Sequence, residues 1–134
     1  MATGSWTNPI HSANLVSGAG SDLENTYQSD ANATTLSILD GPKDGAWQVY
    51  ISRADMNWPV NFTLSVKRTG AGSGTEGKTV RGGLPFQTVN AAKTLFFTGI
   101  GPVLHIPVQY QLSGVSLRTS PNVFNTGVTF TVIP

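Results

Sequence analysis

The last stretch of the chain constrains its fold most. After a turn at Ser120-Pro121-Asn122, the residues Gly127 to Ile133 read Gly-Val-Thr-Phe-Thr-Val-Ile. Val128, Phe130 and Val132 would fall on one face of an extended strand, and Thr129, Thr131 and Ile133 on the other. Alternation with a period of two is the pattern of a β-strand. Phe130 is expected in the core and Thr129 on the opposite face. A strand placed at the end of a chain is expected to be tied into a sheet, which makes the terminal segments the first place to look for assembly.

The same period recurs upstream. Thr34 to Leu39 reads as a strand, closed by a turn at Asp40-Gly41-Pro42-Lys43-Asp44-Gly45. Trp47, Val49 and Ile51 alternate with Gln48, Tyr50 and Ser52; Phe62, Leu64 and Val66 alternate with Thr63, Ser65 and Lys67. Residues Thr69 to Gly83 are rich in glycine and nearly free of apolar side chains, the composition of a long, exposed and mobile loop. Phe86 to Val89 and Thr94 to Thr98 follow as strands around Asn90. Pro102 and Pro107 bracket what reads as a short edge segment, since proline cannot donate to a ladder. Val108, Tyr110 and Leu112 alternate next, then Val115 and Leu117. The pattern predicts an all-β fold, an Ig-like or jelly-roll-like antiparallel β-sandwich of about seven to nine strands. Residues 1–30 are weakly patterned and read as an extended N-terminal arm, with one short strand around Ala13 to Val16. Residues 31–134 form the single sandwich domain.

Composition narrows the function. At 134 residues the chain can bury a core without staples. Charged residues make up 11%, against roughly 25% in ordinary soluble domains. Polarity comes from 28 Ser and Thr, nine Asn and 15 Gly, residues that suit pleated surfaces and turns better than helices. A formal charge of +1 gives no field to gather nucleic acid or an anionic membrane. No cysteine is present, so disulfides and thiolate metal sites are excluded. Low charge with a hydroxyl-rich β pattern points to an extracellular or cell-surface location. No apolar run reaches membrane-span length and no signal peptide is read, so an exported protein would be expected here in its mature form or as part of a longer product.

One motif could mislead. Gly72-Ser73-Gly74-Thr75-Glu76-Gly77-Lys78-Thr79 fits the phosphate-loop pattern G-x-x-x-x-G-K-[ST]. That chemistry needs a helix starting at the lysine, whose amides and dipole hold the phosphates. Val80-Arg81-Gly82-Gly83-Leu84-Pro85 follows instead, and two glycines and a proline oppose a helix there. His11 and His105 are isolated, without partners at metal spacing. Asp40 and Asp44 read as turn residues rather than a calcium loop, and Asp22, Glu24 and Asp30 as a solvated face. No G-x-S-x-G elbow activates any of the serines. No cofactor site and no enzyme constellation is therefore expected.

Three tryptophans invite a sugar-binding reading. Trp47 occupies an inward strand position and is expected in the core. Trp58 lies in a loop beside Asn57, with Arg53 and Asp55 nearby; it reads either as a plug at the end of the sandwich or as a stacking platform for a sugar ring. Asn32-Ala33-Thr34 and Asn61-Phe62-Thr63 have the form of glycosylation acceptors.

The run Ser120-Pro121-Asn122-Val123-Phe124-Asn125-Thr126-Gly127-Val128-Thr129-Phe130-Thr131-Val132 resembles the closing strand of bacterial secreted fibre subunits, the chaperone–usher pilins and the related spore coat protein U family. There a turn and an aromatic lead into an alternating Thr/Val strand. The chain departs from that pattern in having no cysteine, where such pilins usually carry a disulfide, and in placing Pro134 where many end on an aromatic. The resemblance implies an incomplete Ig-like sandwich completed by strand exchange between subunits, with no catalytic residues.

The expectation is a non-enzymatic, extracellular structural or adhesive surface subunit, a homo-oligomer or filament. Residues Thr3 to Val16 of one chain would lie beside an edge strand of the next, with Trp6, Ile10 and Leu15 filling pockets. The alternative is a carbohydrate-binding module built on Trp58, Arg53, Asp55 and Asn57.

Overall fold

Strand alternation is realised as burial. In the computed structural model Trp47, Val49 and Ile51 are buried, as are Leu64, Val66, Val108, Tyr110 and Leu112. The structure describes residues 2–3, 26–38, 45–55, 58, 61–74, 79–115 and 126–133. Eleven strand segments occur among them and no helix: β1 (Ala2–Thr3), β2 (Tyr27–Gln28), β3 (Thr34–Ile38), β4 (Ala46–Asp55), β5 (Thr63–Arg68), β6 (Ser73–Gly74), β7 (Thr79–Arg81), β8 (Gln87–Thr88), β9 (Thr94–Ile100), β10 (Val103–Ser113) and β11 (Thr126–Ile133). Six of these have five residues or more. The surplus over seven to nine comes from the two- and three-residue segments, which are too short to show a period.

Every pairing is antiparallel. One sheet runs β1-β3-β10-β5-β8, with β2 and β6 also on β10; the other runs β11-β4-β9-β7. Of the six long strands, β3, β5 and β10 belong to the first sheet and β4, β9 and β11 to the second, so no two successive ones share a sheet. An immunoglobulin sandwich pairs successive strands within its sheets. Alternation between sheets is the jelly-roll way of closing two layers over one core. That core is a cluster including Leu36, Ile38, Trp47, Val49, Ile51, Phe97, Ile106 and Val108, with a smaller one of Tyr27, Phe62, Leu112 and Val115 at one end.

Two bulges shape the strands. Val49 and Tyr50 of β4 face Phe97 and Leu95 of β9, so Phe96 is one residue extra. The bulge lets Phe96 and Phe97 both turn inward, and both are buried. In β10, Val103 pairs with Ile38 and Ile106 with Leu36, an extra residue on the β10 side. His105 sits there at φ 55, its amide donating to Ser37 Oγ at 3.1 Å.

Three expectations are corrected. First, Thr69 to Gly83 is no free loop. Ser73 and Gly74 pair with Leu104 and Val103, and Thr79 to Arg81 pairs with β9. Arg68, 5% exposed, donates from Nε to the Gly82 carbonyl and from Nη1 to the Gly70 carbonyl, both at 2.9 Å. It thereby ties together the two flanks of the glycine-rich stretch. Gly83 adopts φ 73 against the ring of Phe96 and the Cβ of Phe97, a left-handed close approach that a side chain would block. Residues 75–78 lie outside the described residues.

Second, Pro107 does not mark an edge. It lies inside β10, the central strand flanked by β3 and β5. Its carbonyl accepts from the Thr69 amide at 2.9 Å, so its ring nitrogen faces the same side. There β5 has ended at Arg68 and β6 has not begun, so the missing N–H falls between two paired segments rather than within a ladder.

Third, Phe130 is only half-buried. Val128 and Phe130 pack against the core and Thr129 is exposed, so the faces are as expected. The depth is less, because among the described residues β11 has a neighbour on one side only. Within residues 1–30, Ala2 and Thr3 pair with Leu36 and Thr35, and Tyr27 and Gln28 with Leu112 and Gln111. The strand expected near Ala13 to Val16 lies outside the described residues, as does Leu117.

Candidate functional site

The inward series Trp47, Val49, Ile51 continues to Arg53. This position, opposite Val128, lies where the sandwich runs out of apolar filling. The Arg53 amide donates to the Asn90 carbonyl at 2.9 Å, fixing the strand against the segment before β9. The Arg53 guanidinium lies over the Trp58 ring, 5.9 Å from its centroid, a cation–π contact. The edge-to-face partner of Trp58 is Phe62, at 5.4 Å. Trp58 packs against both apolar clusters, joining them at this end. Its indole N–H is buried and meets no acceptor among the described residues.

Of the four residues expected to form a sugar platform, the structure therefore brings together two, Arg53 and Trp58. Asp55 lies at the end of β4, its main chain opposite Thr126. Asn57 falls outside the described residues, and so do the assembly residues Trp6, Ile10 and Leu15. The arrangement is a half-buried aromatic held edge-on by Phe62 and covered on one face by a cation. Chemically it can brace the sandwich end, with the indole N–H turned into the interior rather than towards solvent. Sequence reasoning missed Phe62 and Asn90 as partners, although the inward parity of Arg53 could have been read from β4.

A second polar cluster is structural. Thr34 Oγ1 and the Tyr110 hydroxyl are 2.7 Å apart and buried. Ser29 Oγ accepts from the Tyr110 amide at 2.9 Å, the Ser29 amide donates to the Tyr110 carbonyl at 3.0 Å, and Gln109 Nε2 donates to the Ser29 carbonyl at 2.8 Å. Burial pushes the Tyr110 phenol up from its ordinary value, and the Thr34 hydrogen bond pulls the other way. These bonds stitch the segment after β2 onto β10.

The phosphate-loop match is set aside by the fold as well as by its sequence. Thr79, where the helix would run, begins a strand paired with Ile100. His105 is exposed on its bulge; His11, Asp40, Asp44, Asp22 and Glu24 lie outside the described residues. Among the described residues no three His, Asp or Glu side chains gather at metal distance, and no helix is long and apolar enough to cross a membrane. Comparison of the chain with models of protein families, with curated proteins and with solved structures finds no match in any of the three.

Proposed function

We propose that the protein is a non-enzymatic structural subunit of an extracellular or cell-surface assembly, joined to its neighbours by β-strand pairing. The observation that carries this reading is the composition of β11, which ends its sheet among the described residues. Strand β11 is eight residues long and carries no charge and no proline from Thr126 to Ile133. Soluble monomers blunt such edges with lysine, proline or brevity. The low overall charge and hydroxyl-rich surface suit a packed array more than an isolated soluble domain. In this reading the N-terminal arm of one subunit lies along an edge of the next, with Trp6, Ile10 and Leu15 as anchors.

Light scattering and negative-stain microscopy of the full chain test it: oligomers or filaments are expected. Replacing Trp6, Ile10 and Leu15 together by serine should reduce particle size to a smaller closed unit. An unchanged particle would remove the arm from the mechanism.

A second reading, a carbohydrate-binding module, draws on the pairing of Arg53 with Trp58. Against it stands the guanidinium over the ring face where a sugar would stack. Titration with oligosaccharides while following tryptophan fluorescence discriminates the two. A saturable change lost in Trp58→Phe would favour the module.

A further inference from the structure

We propose that the outer edge of β11 pairs with β11 of a second copy of this chain, antiparallel about a two-fold axis at Phe130. The direction of the main-chain groups comes first. The Arg53 amide points away from β11, to the Asn90 carbonyl. Along a strand these groups alternate sides, so those of Ser52 and Ala54 point towards β11. Thr126 Oγ1 reaching the Ala54 carbonyl at 3.3 Å agrees. Their partners Thr129 and Gly127 are thus bonded to β4, and Val128, Phe130 and Val132 turn their N–H and C=O to the open side. Among the described residues no strand lies there.

The side chains then select the occupant. With Phe130 opposite Phe130 of the second copy, Val128 meets Val132 and Thr129 meets Thr131. In this register three of the four outward-bonding residues of β11, Val128, Phe130 and Val132, pair with one another across the axis and satisfy six main-chain groups in each copy, while Thr126 of the same parity lies beyond the pairing. Like meets like on each face: Phe and Val on the inner side, Thr on the outer. Val132, 43% exposed although on the inward face, and half-buried Phe130 would gain the cover that a missing neighbour denies them. The strand is neutral, so nothing repels its copy. The other edges are two or three residues long, and β7 carries Arg81. Joining the four-stranded sheets gives one continuous sheet of eight strands.

This interface goes beyond the proposed function and does not use the arm. A two-fold contact closes at two subunits, so a filament would still need a second, head-to-tail contact such as the arm supplies.

Sedimentation velocity of the full chain over a concentration series tests the proposal, with circular dichroism confirming that each variant is folded. Val132→Pro deletes an outward N–H while leaving the β4 ladder intact, and should weaken self-association at least tenfold. Thr129→Lys with Thr131→Lys sets lysine opposite lysine across the axis and should do the same. Thr129→Lys with Thr131→Glu sets opposite charges face to face and should restore pairing. A wild-type chain that stays monomeric overturns the inference, as does self-association indifferent to Val132→Pro, or equal behaviour of the Lys/Lys and Lys/Glu variants. Self-association lost on replacing the arm anchors but kept in Val132→Pro would overturn this inference while leaving the proposed function standing.

Discussion

Strands β10 and β11 carry similar patterns and meet different fates. Both alternate apolar and polar side chains, with Val108, Tyr110 and Leu112 in one and Val128, Phe130 and Val132 in the other. In β10 the apolar set is buried; in β11 it is half-buried or, at Val132, exposed. The sequence period decides which face a side chain takes, because successive residues point to opposite sides. Depth is decided by neighbours. β10 lies between β3 and β5, whereas among the described residues β11 has only β4 beside it. An alternating strand thus announces its register and stays silent about its place in the sheet.

The comparison can be broken by mutation. Ile106→Ala removes a fully buried side chain from the centre of β10 and should cost about 3–4 kcal/mol in chemical denaturation, within the range for large-to-small core changes. Phe130→Ala at the edge should cost about 1–2 kcal/mol, less than a core phenylalanine because part of its area already faces solvent. Equal losses at the two sites would mean that β11 is covered on its open side. Tyr110→Phe should cost about 1 kcal/mol, since it leaves the buried Thr34 hydroxyl without its partner.

The same variant sharpens the picture through pH. With the folded phenol raised above its ordinary value of 10.0, the unfolded chain ionises first as pH rises. The stability that Tyr110 contributes is therefore complete below about pH 10 and falls between the unfolded and folded values. Tyr110→Phe should flatten that alkaline slope, and an unchanged slope would assign it to other tyrosines. The smallest effect belongs to Thr129→Ala, on the exposed face of β11, at below about 0.5 kcal/mol.

Much of the fold was legible because alternation is a local signal. The six long strands coincide with segments that alternate or are rich in β-branched residues, and their inward faces follow. The glycine-rich stretch was not legible: Ser73, Gly74 and Thr79 to Arg81 have no period of their own. They are held by partners distant in sequence and by Arg68, which bonds the Gly70 carbonyl two residues on and the Gly82 carbonyl that only the fold brings near. Pro107 misled because its tolerance in a central strand depends on where the neighbouring strand stops. At the sandwich end, Trp58 stood out by composition and Arg53 by proximity. Their contact, and the edge of Phe62 against the ring, needed the chain folded back between β4 and β5.

The passage of each long strand to the opposite sheet has a consequence for how the molecule is made. The large sheet has β10 as its hub, with β2, β3, β5 and β6 all paired to it. During synthesis those strands emerge first and, apart from the two-residue pairings of β3 with β1 and of β5 with β8, wait for their partner until β10 has left the ribosome. In the other layer β4 likewise waits for β9. Such a chain closes late, at a cost in loop entropy met before any ladder repays it, and folding of this kind is slow. Through that interval its bare strands are open to any passing chain.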